Sequence, residues 1–192
     1  MRRSIIACGL LLALAGIPST VATAAGGNGR WTGAAQDEAR ARADARRVVY
    51  WSGEARRAQA ATAHWVTIVR GRPPRQSTDT LRGLSPQTAR NLARIWHRRA
   101  VAASRVAHHP PKLRAWNCIH HYEGSWQDPD APYWGGLQMD YSFQSTYGAW
   151  LLKHRGTANH WAPLEQIWTG VRAWRVRGFA PWPATARACG VY

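Results

Sequence analysis

A glutamate follows an apolar helical pattern in the C-terminal half of this sequence. Trp116, Ile119 and Glu123 stand at positions i, i+3 and i+7, the spacing of one helix face, and Gly124 is a typical helix terminator. A carboxyl group that packs against tryptophans loses hydration, so it can stay protonated near neutral pH and act as a general acid. Most glutamates at helix ends are exposed caps, and the position alone leaves both interpretations open.

A glycine-containing turn follows this glutamate. The stretch PYWGGLQM (residues 132–139) joins two aromatic rings, a glycine pair and an amide. Tyr133 and Trp134 could stack on sugar rings, the glycine pair lets the backbone approach a flat ligand, and Gln138 could bind hydroxyls as donor and acceptor. The pattern favours a carbohydrate-binding turn. A plain hairpin turn is the alternative.

Residues 1–24 have the three parts of a secretory signal peptide. Arg2 and Arg3 precede an apolar run from Ile5 to Ile17, and Ala22-Thr23-Ala24 supplies a small-x-small cleavage site. This run is shorter than the roughly 20 residues that span a membrane, and no longer one follows. The sequence therefore predicts a secreted protein without a transmembrane segment.

Two cysteines, Cys118 and Cys189, remain after removal of the signal peptide. Two cysteines in an oxidising compartment predict one disulfide. Two buried free thiols are the alternative.

Charge divides the rest of the chain into two regions. Residues 25–115 hold 18 Lys+Arg against 5 Asp+Glu, whereas residues 116–192 hold 6 against 5. The sequence HHPPK (residues 108–112) disfavours a continuous helix at the junction. We therefore predict a basic region at residues 25–111 and a second domain at residues 112–192.

The basic region has the pattern of two helices. Apolar residues recur at three- and four-residue steps from Asp37 to Val69, although Gly53 could interrupt this helix. Ser85-Pro86 is a typical N-terminus for a second helix that continues to about Val106 along a stripe including Ile95. This predicts a helical hairpin or a loosely folded stalk. Its arginines could bind anionic wall polymers such as teichoic acids or simply form a solvated surface, and export disfavours nucleic acid as a partner.

Residues 112–192 resemble the transglycosylase-like, lysozyme-fold domain of the resuscitation-promoting factors of actinobacteria. The similarity rests on W-x-x-I-x-x-x-E at residues 116–123, Ser125-Trp126, Y-x-G-G-L-Q at residues 133–138, Tyr147-Gly148, Gln166, Trp182-Pro183 and Cys189-Gly190. In that family a cysteine directly precedes the glutamate. Here Tyr122 holds that place and Cys118 stands about one helical turn earlier, so a bridge to Cys189 requires the tail, lengthened by residues 185–188, to shift by one turn.

The resemblance, which covers no part of the basic region, implies a small α-helical lysozyme-like domain. With the one disulfide expected from the cysteines and the Arg/Ala-rich helical region that precedes the domain, the sequence predicts a mainly α-helical fold. The resemblance also implies cleavage of the β-1,4 bond between N-acetylmuramic acid and N-acetylglucosamine in peptidoglycan, with Glu123 as the general acid and no cofactor. The same resemblance assigns glycan binding to the residues of the turn and to a nearby ring: Trp126, Tyr133, Trp134, Gly135, Gly136 and Gln138.

The identity of a second carboxylate is left open by the sequence. Asp140 lies at the start of a predicted helix at residues 140–152, where it could be the N-cap or could stabilise a glycosyl intermediate during hydrolysis. Without such a partner, Glu123 would act first as acid and then as base and yield a 1,6-anhydro product.

Alternatives of other classes are weaker. The histidines and cysteines lack metal-ligand spacing, and Ser125 lacks a nucleophile motif, so neither a metal site nor a serine hydrolase is predicted. A cell-wall glycan-binding module without catalytic activity is the remaining alternative.

Overall fold

The computed structural model describes residues 33–75 and 83–191, so the predicted signal peptide at residues 1–24 lies outside the described residues. Within these ranges the chain is mainly α-helical, as predicted, with one short antiparallel ribbon and a 3-10 turn at Ala158–His160. The elements in chain order are α1 (Gly33–Arg70), α2 (Pro86–His108), α3 (Leu113–Glu123), β1 (Tyr133–Trp134), β2 (Met139–Asp140), α4 (Tyr141–Tyr147), α5 (Ala149–Arg155), α6 (Pro163–Arg177) and α7 (Pro183–Ala188).

Helices α1 and α2 pack against each other as the predicted hairpin. Gly53 does not interrupt α1, and Ser85 caps α2 by accepting a hydrogen bond from the Thr88 amide at 3.2 Å. The two helices enclose a small core of Ala55, Ala93 and Trp96. The prediction that Ile95 belongs to the buried stripe is wrong, because the buried positions of α2 follow Ala89, Ala93 and Trp96 and leave Ile95 37% exposed.

A second, larger core lies among the C-terminal elements. Trp116 and Ile119 of α3 are fully buried there with Trp161 and with Trp168 of α6. Each of the buried indoles also donates a hydrogen bond to a backbone carbonyl, as Trp168 Nε1 does to Ala107 O at 2.8 Å and Trp182 Nε1 to Leu137 O at 2.7 Å. These bonds remove the cost of burying the indole N–H groups.

The end of α1 is part of this larger core. Ile68 is buried in it, and the guanidinium of Arg172 on α6 donates to the Ile68 and Val69 carbonyls at 3.2 Å. Burial, with a smaller effect from Arg175, lowers the pKa of Arg172 to about 10. A side chain at Gly71, whose φ is +74°, would collide with the Arg172 guanidinium. The core therefore extends across the predicted boundary between residues 111 and 112.

The predicted helix at residues 140–152 is two helices. α4 ends at Tyr147 and α5 begins at Ala149, with Gly148 between them. The ring of Trp161 packs so closely on Gly148 that a Cβ there would lie 2.6 Å from Trp161 Cη2. The next long helix, α6, begins at Pro163 and ends before Gly178.

The disulfide between Cys118 and Cys189 is present, with 5.9 Å between the two Cα atoms. It joins α3 to the residue that follows α7. None of the helices in residues 33–75 and 83–191 is long and apolar enough to cross a membrane.

We expect the variant Cys118→Ala/Cys189→Ala to lose about 4 kcal/mol of unfolding free energy, because the bridge closes a loop across a sequence separation of 71 residues. Urea denaturation of the variant, compared with oxidised and reduced wild-type protein, measures this loss. Two titratable thiols in unreduced, unfolded mature protein would contradict the bridge.

Candidate functional site

Glu123 is the last residue of α3, and its side chain is half-buried. The helix ends there because Gly124 adopts φ 134°. The hydroxyl of Thr185 in α7 donates a hydrogen bond of 2.7 Å to Glu123 Oε1. The carboxyl group is thus held by a hydroxyl from another element of the fold.

An amide and a second carboxyl group lie next to this position. Gln138 Nε2 donates to Asp128 Oδ2 at 2.8 Å and to the Gly135 carbonyl at 3.1 Å. An ideal Cβ on Gly124 would lie 3.5 Å from Asp128 Oδ2 and 3.8 Å from Gln138 Nε2. Asp128 therefore orients Gln138 beside the residue that follows Glu123.

The glycine pair is required by close packing. A Cβ on Gly135 would lie 2.4 Å from Gln166 Oε1, and a Cβ on Gly136 would lie 2.5 Å from His120 Nδ1. Gly135 also has φ +72°. The ribbon β1–β2 is the hairpin that the alternative interpretation expected, with Tyr133 paired to Asp140. A side chain at Gly135 or Gly136 would displace Gln166 or the rings of His120 and Trp126.

Gln166 holds this turn in place from α6. Its fully buried side chain accepts from the Gly136 amide at 2.9 Å and donates to the carbonyls of Trp126 at 2.8 Å and Ala158 at 2.9 Å, with Trp161 O at 3.1 Å. One amide therefore joins four separate backbone positions.

The predicted aromatic residues differ in their surroundings. Trp126 stacks on His120 with 3.8 Å between the ring centroids, and it packs against the larger core. Trp134 is also half-buried against that core, whereas Tyr133 is 49% exposed. Of these three rings, Tyr133 is the most available for stacking on a ligand.

A cleft of about 450 Å³ opens beside these residues. Its lining includes Tyr133, Gln138, Asp140, Phe143, Tyr147, Arg177 and Trp182. Glu123 does not line this cleft. Two of its neighbours lie near the cleft. Gly124 is close in space to the lining residue Gln138, and Thr185, which binds Glu123, stands two positions after the lining residue Pro183.

Asp140 is the N-cap of α4. Its Oδ1 accepts a hydrogen bond of 2.7 Å from the Phe143 amide, which confirms the capping interpretation. The side chain also lines the cleft. Its participation as a second carboxylate stays a prediction.

Sequence reasoning did not assign roles to Thr185, Asp128 or His120. Thr185 lies in the tail extension at residues 185–188, which forms most of α7. Asp128 had a local signal, because it stands in a short polar loop between Trp126 and the glycine turn. No local pattern in the sequence indicated that the ring of His120 stacks on Trp126.

In the part of the chain that the structure describes, no group of three or more histidine, cysteine, aspartate or glutamate residues could hold a metal ion.

Comparisons of the chain with protein-family models, with curated proteins and with solved structures found no significant match.

We expect Gln166→Leu to lower the unfolding free energy by about 3 kcal/mol or more, because it leaves the buried Gly136 amide and the facing carbonyls without partners. Urea denaturation measures the loss, and the exposed Gln127→Leu is the matched control. Equal stability of Gln166→Leu and the control would show that the amide does not hold the turn.

Proposed function

We propose that this chain is a secreted glycosidase that cleaves the β-1,4 bond between N-acetylmuramic acid and N-acetylglucosamine in peptidoglycan. The observation that carries the proposal is the hydrogen bond that holds Glu123 to the Thr185 hydroxyl. The next residue, Gly124, lies beside the Gln138–Asp128 pair, and Gln138 lines an aromatic-containing cleft. The resemblance of residues 112–192 to the resuscitation-promoting factor domain supports the same activity.

The cleft has the composition that a sugar chain requires. The exposed ring of Tyr133 offers a face for stacking, and the amide of Gln138 offers a hydrogen-bonding group. Gln138 Oε1 accepts no hydrogen bond from the described residues, because Asp128 and Gly135 engage only its Nε2 atom. This oxygen is free to accept a hydrogen bond from a sugar hydroxyl.

In the proposed reaction, protonated Glu123 transfers its proton to the glycosidic oxygen as the bond from that oxygen to C1 breaks. The leaving sugar departs as an alcohol, and C1 develops oxocarbenium character. The ionised Glu123 then accepts the proton of the attacking hydroxyl. Attack by the sugar's own 6-hydroxyl gives a 1,6-anhydro product, and attack by water gives a reducing end.

The capping bond of Asp140 favours the route with a single carboxylate. One of its oxygens already stabilises the first turn of α4. A residue with that structural duty needs no catalytic role to explain its presence. Mass spectrometry distinguishes the products, because an anhydro end is lighter than a reducing end by one water.

A glycan-binding module without activity is the competing proposal. It requires the same cleft but no proton donor at residue 123. The following comparison of two carboxyl variants distinguishes it from the enzyme.

We expect Glu123→Gln to lower glycan cleavage by about 10²- to 10⁴-fold, because the amide cannot protonate the leaving oxygen. Asp140→Asn should keep nearly full activity and stability, since asparagine is an equally good N-cap. Zymography on purified cell walls and rates on a soluble peptidoglycan tetrasaccharide measure both variants.

Failure of wild-type protein to cleave either substrate while it still binds the walls would favour the binding module. A loss from Asp140→Asn as large as that from Glu123→Gln would overturn the single-carboxylate mechanism.

We propose further that the hairpin binds an anionic wall polymer. A groove of about 790 Å³ crosses the N-terminal part of α2 and is lined by Arg46, Arg47, Tyr50, Trp51 and Arg90. Arg47 is paired with Asp44, whereas Arg90 lies over the Trp51 ring, 5.6 Å from its centroid. This groove, together with the absence of acidic residues from α2, suits a chain of phosphodiesters.

We expect Arg46→Gln/Arg90→Gln to weaken binding to teichoic-acid-containing walls several-fold and to reduce its salt dependence, because two cations are lost from the groove. Rates on the soluble tetrasaccharide should not change. Arg105→Gln/Arg114→Gln is the control of equal charge at exposed positions outside the groove. An equal effect of both pairs in a sedimentation assay would contradict a defined groove.

A further inference from the structure

The two oxygens of the Glu123 carboxyl group have different surroundings. Oε1 accepts the 2.7 Å hydrogen bond from Thr185, whose hydroxyl is much closer to it than to the Trp182 carbonyl at 3.4 Å. The Thr185 hydroxyl donates to Oε1 and not to Oε2. One oxygen is therefore held by the Thr185 hydroxyl, and the other has no hydrogen bond from it.

Helix α7 and the residue that follows it are connected to α3 at two points. At one point the disulfide joins Cys118 to Cys189, and at the other Thr185 binds Glu123. The two contacts run in opposite chain directions, so the helices are antiparallel. Five residues of α3 and four residues of α7 separate them, which is about 7.5 Å and about 6 Å of helix rise. The disulfide and the hydrogen bond are thus separated by similar distances along the two helices, so both can form at once.

We propose that Thr185 positions the Glu123 carboxyl group for proton transfer and that the Cys118–Cys189 disulfide keeps Thr185 in register with it. This inference rests on the proposed role of Glu123 as the general acid. With Oε1 held by the hydroxyl, the transferable proton resides on Oε2, the other oxygen of the carboxyl group. After transfer, the same hydroxyl donates to the ionised carboxylate in a charge-assisted hydrogen bond.

Thr185 is a positioning residue, because it acts through Glu123 and needs no contact with the glycan. Misplacement of a reacting group by about 1 Å can cost about 100-fold in rate. Loss of the hydroxyl should therefore lower kcat and leave KM nearly unchanged. If Thr185 only stabilised the fold, its loss would lower the unfolding free energy and the amount of active protein but would leave kcat per folded molecule unchanged.

The first experiment compares Thr185→Val, Thr185→Ser and wild-type protein on the soluble tetrasaccharide. Valine has the shape of threonine without its hydroxyl, so we expect kcat to fall about 10- to 100-fold with KM within about twofold of wild type. Serine restores the donor and should restore most of kcat. Thr62→Val is the matched control, since the Thr62 hydroxyl bonds only the Ala58 carbonyl within α1.

The second experiment tests the disulfide through a change of register. Insertion of one alanine after Ala188 keeps both cysteines but rotates Thr185 by about 100° relative to Cys189. With the bridge still formed, by thiol titration, kcat should fall as it does in Thr185→Val. Adding Thr185→Val to the insertion should cause little further loss, because the hydroxyl is already displaced.

Each outcome has a defined meaning. Wild-type kcat in Thr185→Val, with Glu123→Gln inactive, overturns this inference and leaves the proposed function standing. Inactive wild-type protein overturns both. The role of the disulfide is overturned if the bridged insertion variant has wild-type kcat. It is also overturned if adding Thr185→Val to the insertion lowers kcat by the full factor seen for Thr185→Val alone.

Discussion

The buried amide of Gln166 is the interaction on which the candidate site depends most. Its hydrogen bonds reach the loop after Glu123 at Trp126, the glycine turn at Gly136 and the 3-10 turn at Ala158. These segments are loops and turns, and their buried backbone groups would be costly without partners. A single side chain on the longest helix of the C-terminal region therefore satisfies them together and places them relative to Glu123.

The same principle explains the order of the neighbouring short elements. α4 and α5 have seven residues each, which is too short for a helix to be stable alone. Gln144, fully buried, donates to the Met139 carbonyl and accepts from the Ala158 amide, while Arg172 binds the Tyr147 carbonyl at the end of α4. Polar side chains thus join the ends of short elements, and the tryptophans fill the space between them.

The two ends of the α1–α2 hairpin have different surroundings. Its alanines let α1 and α2 approach closely around Trp96, and its arginines remain on the outside. The last turn of α1 enters the larger core at Ile68. The basic groove lies near Trp51, about 25 Å from Ile68 along α1. The proposed polymer groove and the proposed catalytic group are therefore distant parts of one packed structure.

Local signals in the sequence were sufficient for the helix ends and for the disulfide. Gly124, the Ser85-Pro86 pair and the cap at Asp140 act within a few residues of themselves, so they can be identified without knowledge of the fold. Pairing of Cys118 with Cys189 followed from their number. The tertiary structure alone decided the packing of the Trp161 ring on Gly148 and the bond between Thr185 and Glu123, which are 62 residues apart. Such contacts depend on how separate elements pack against one another, and no short stretch of sequence contains that information.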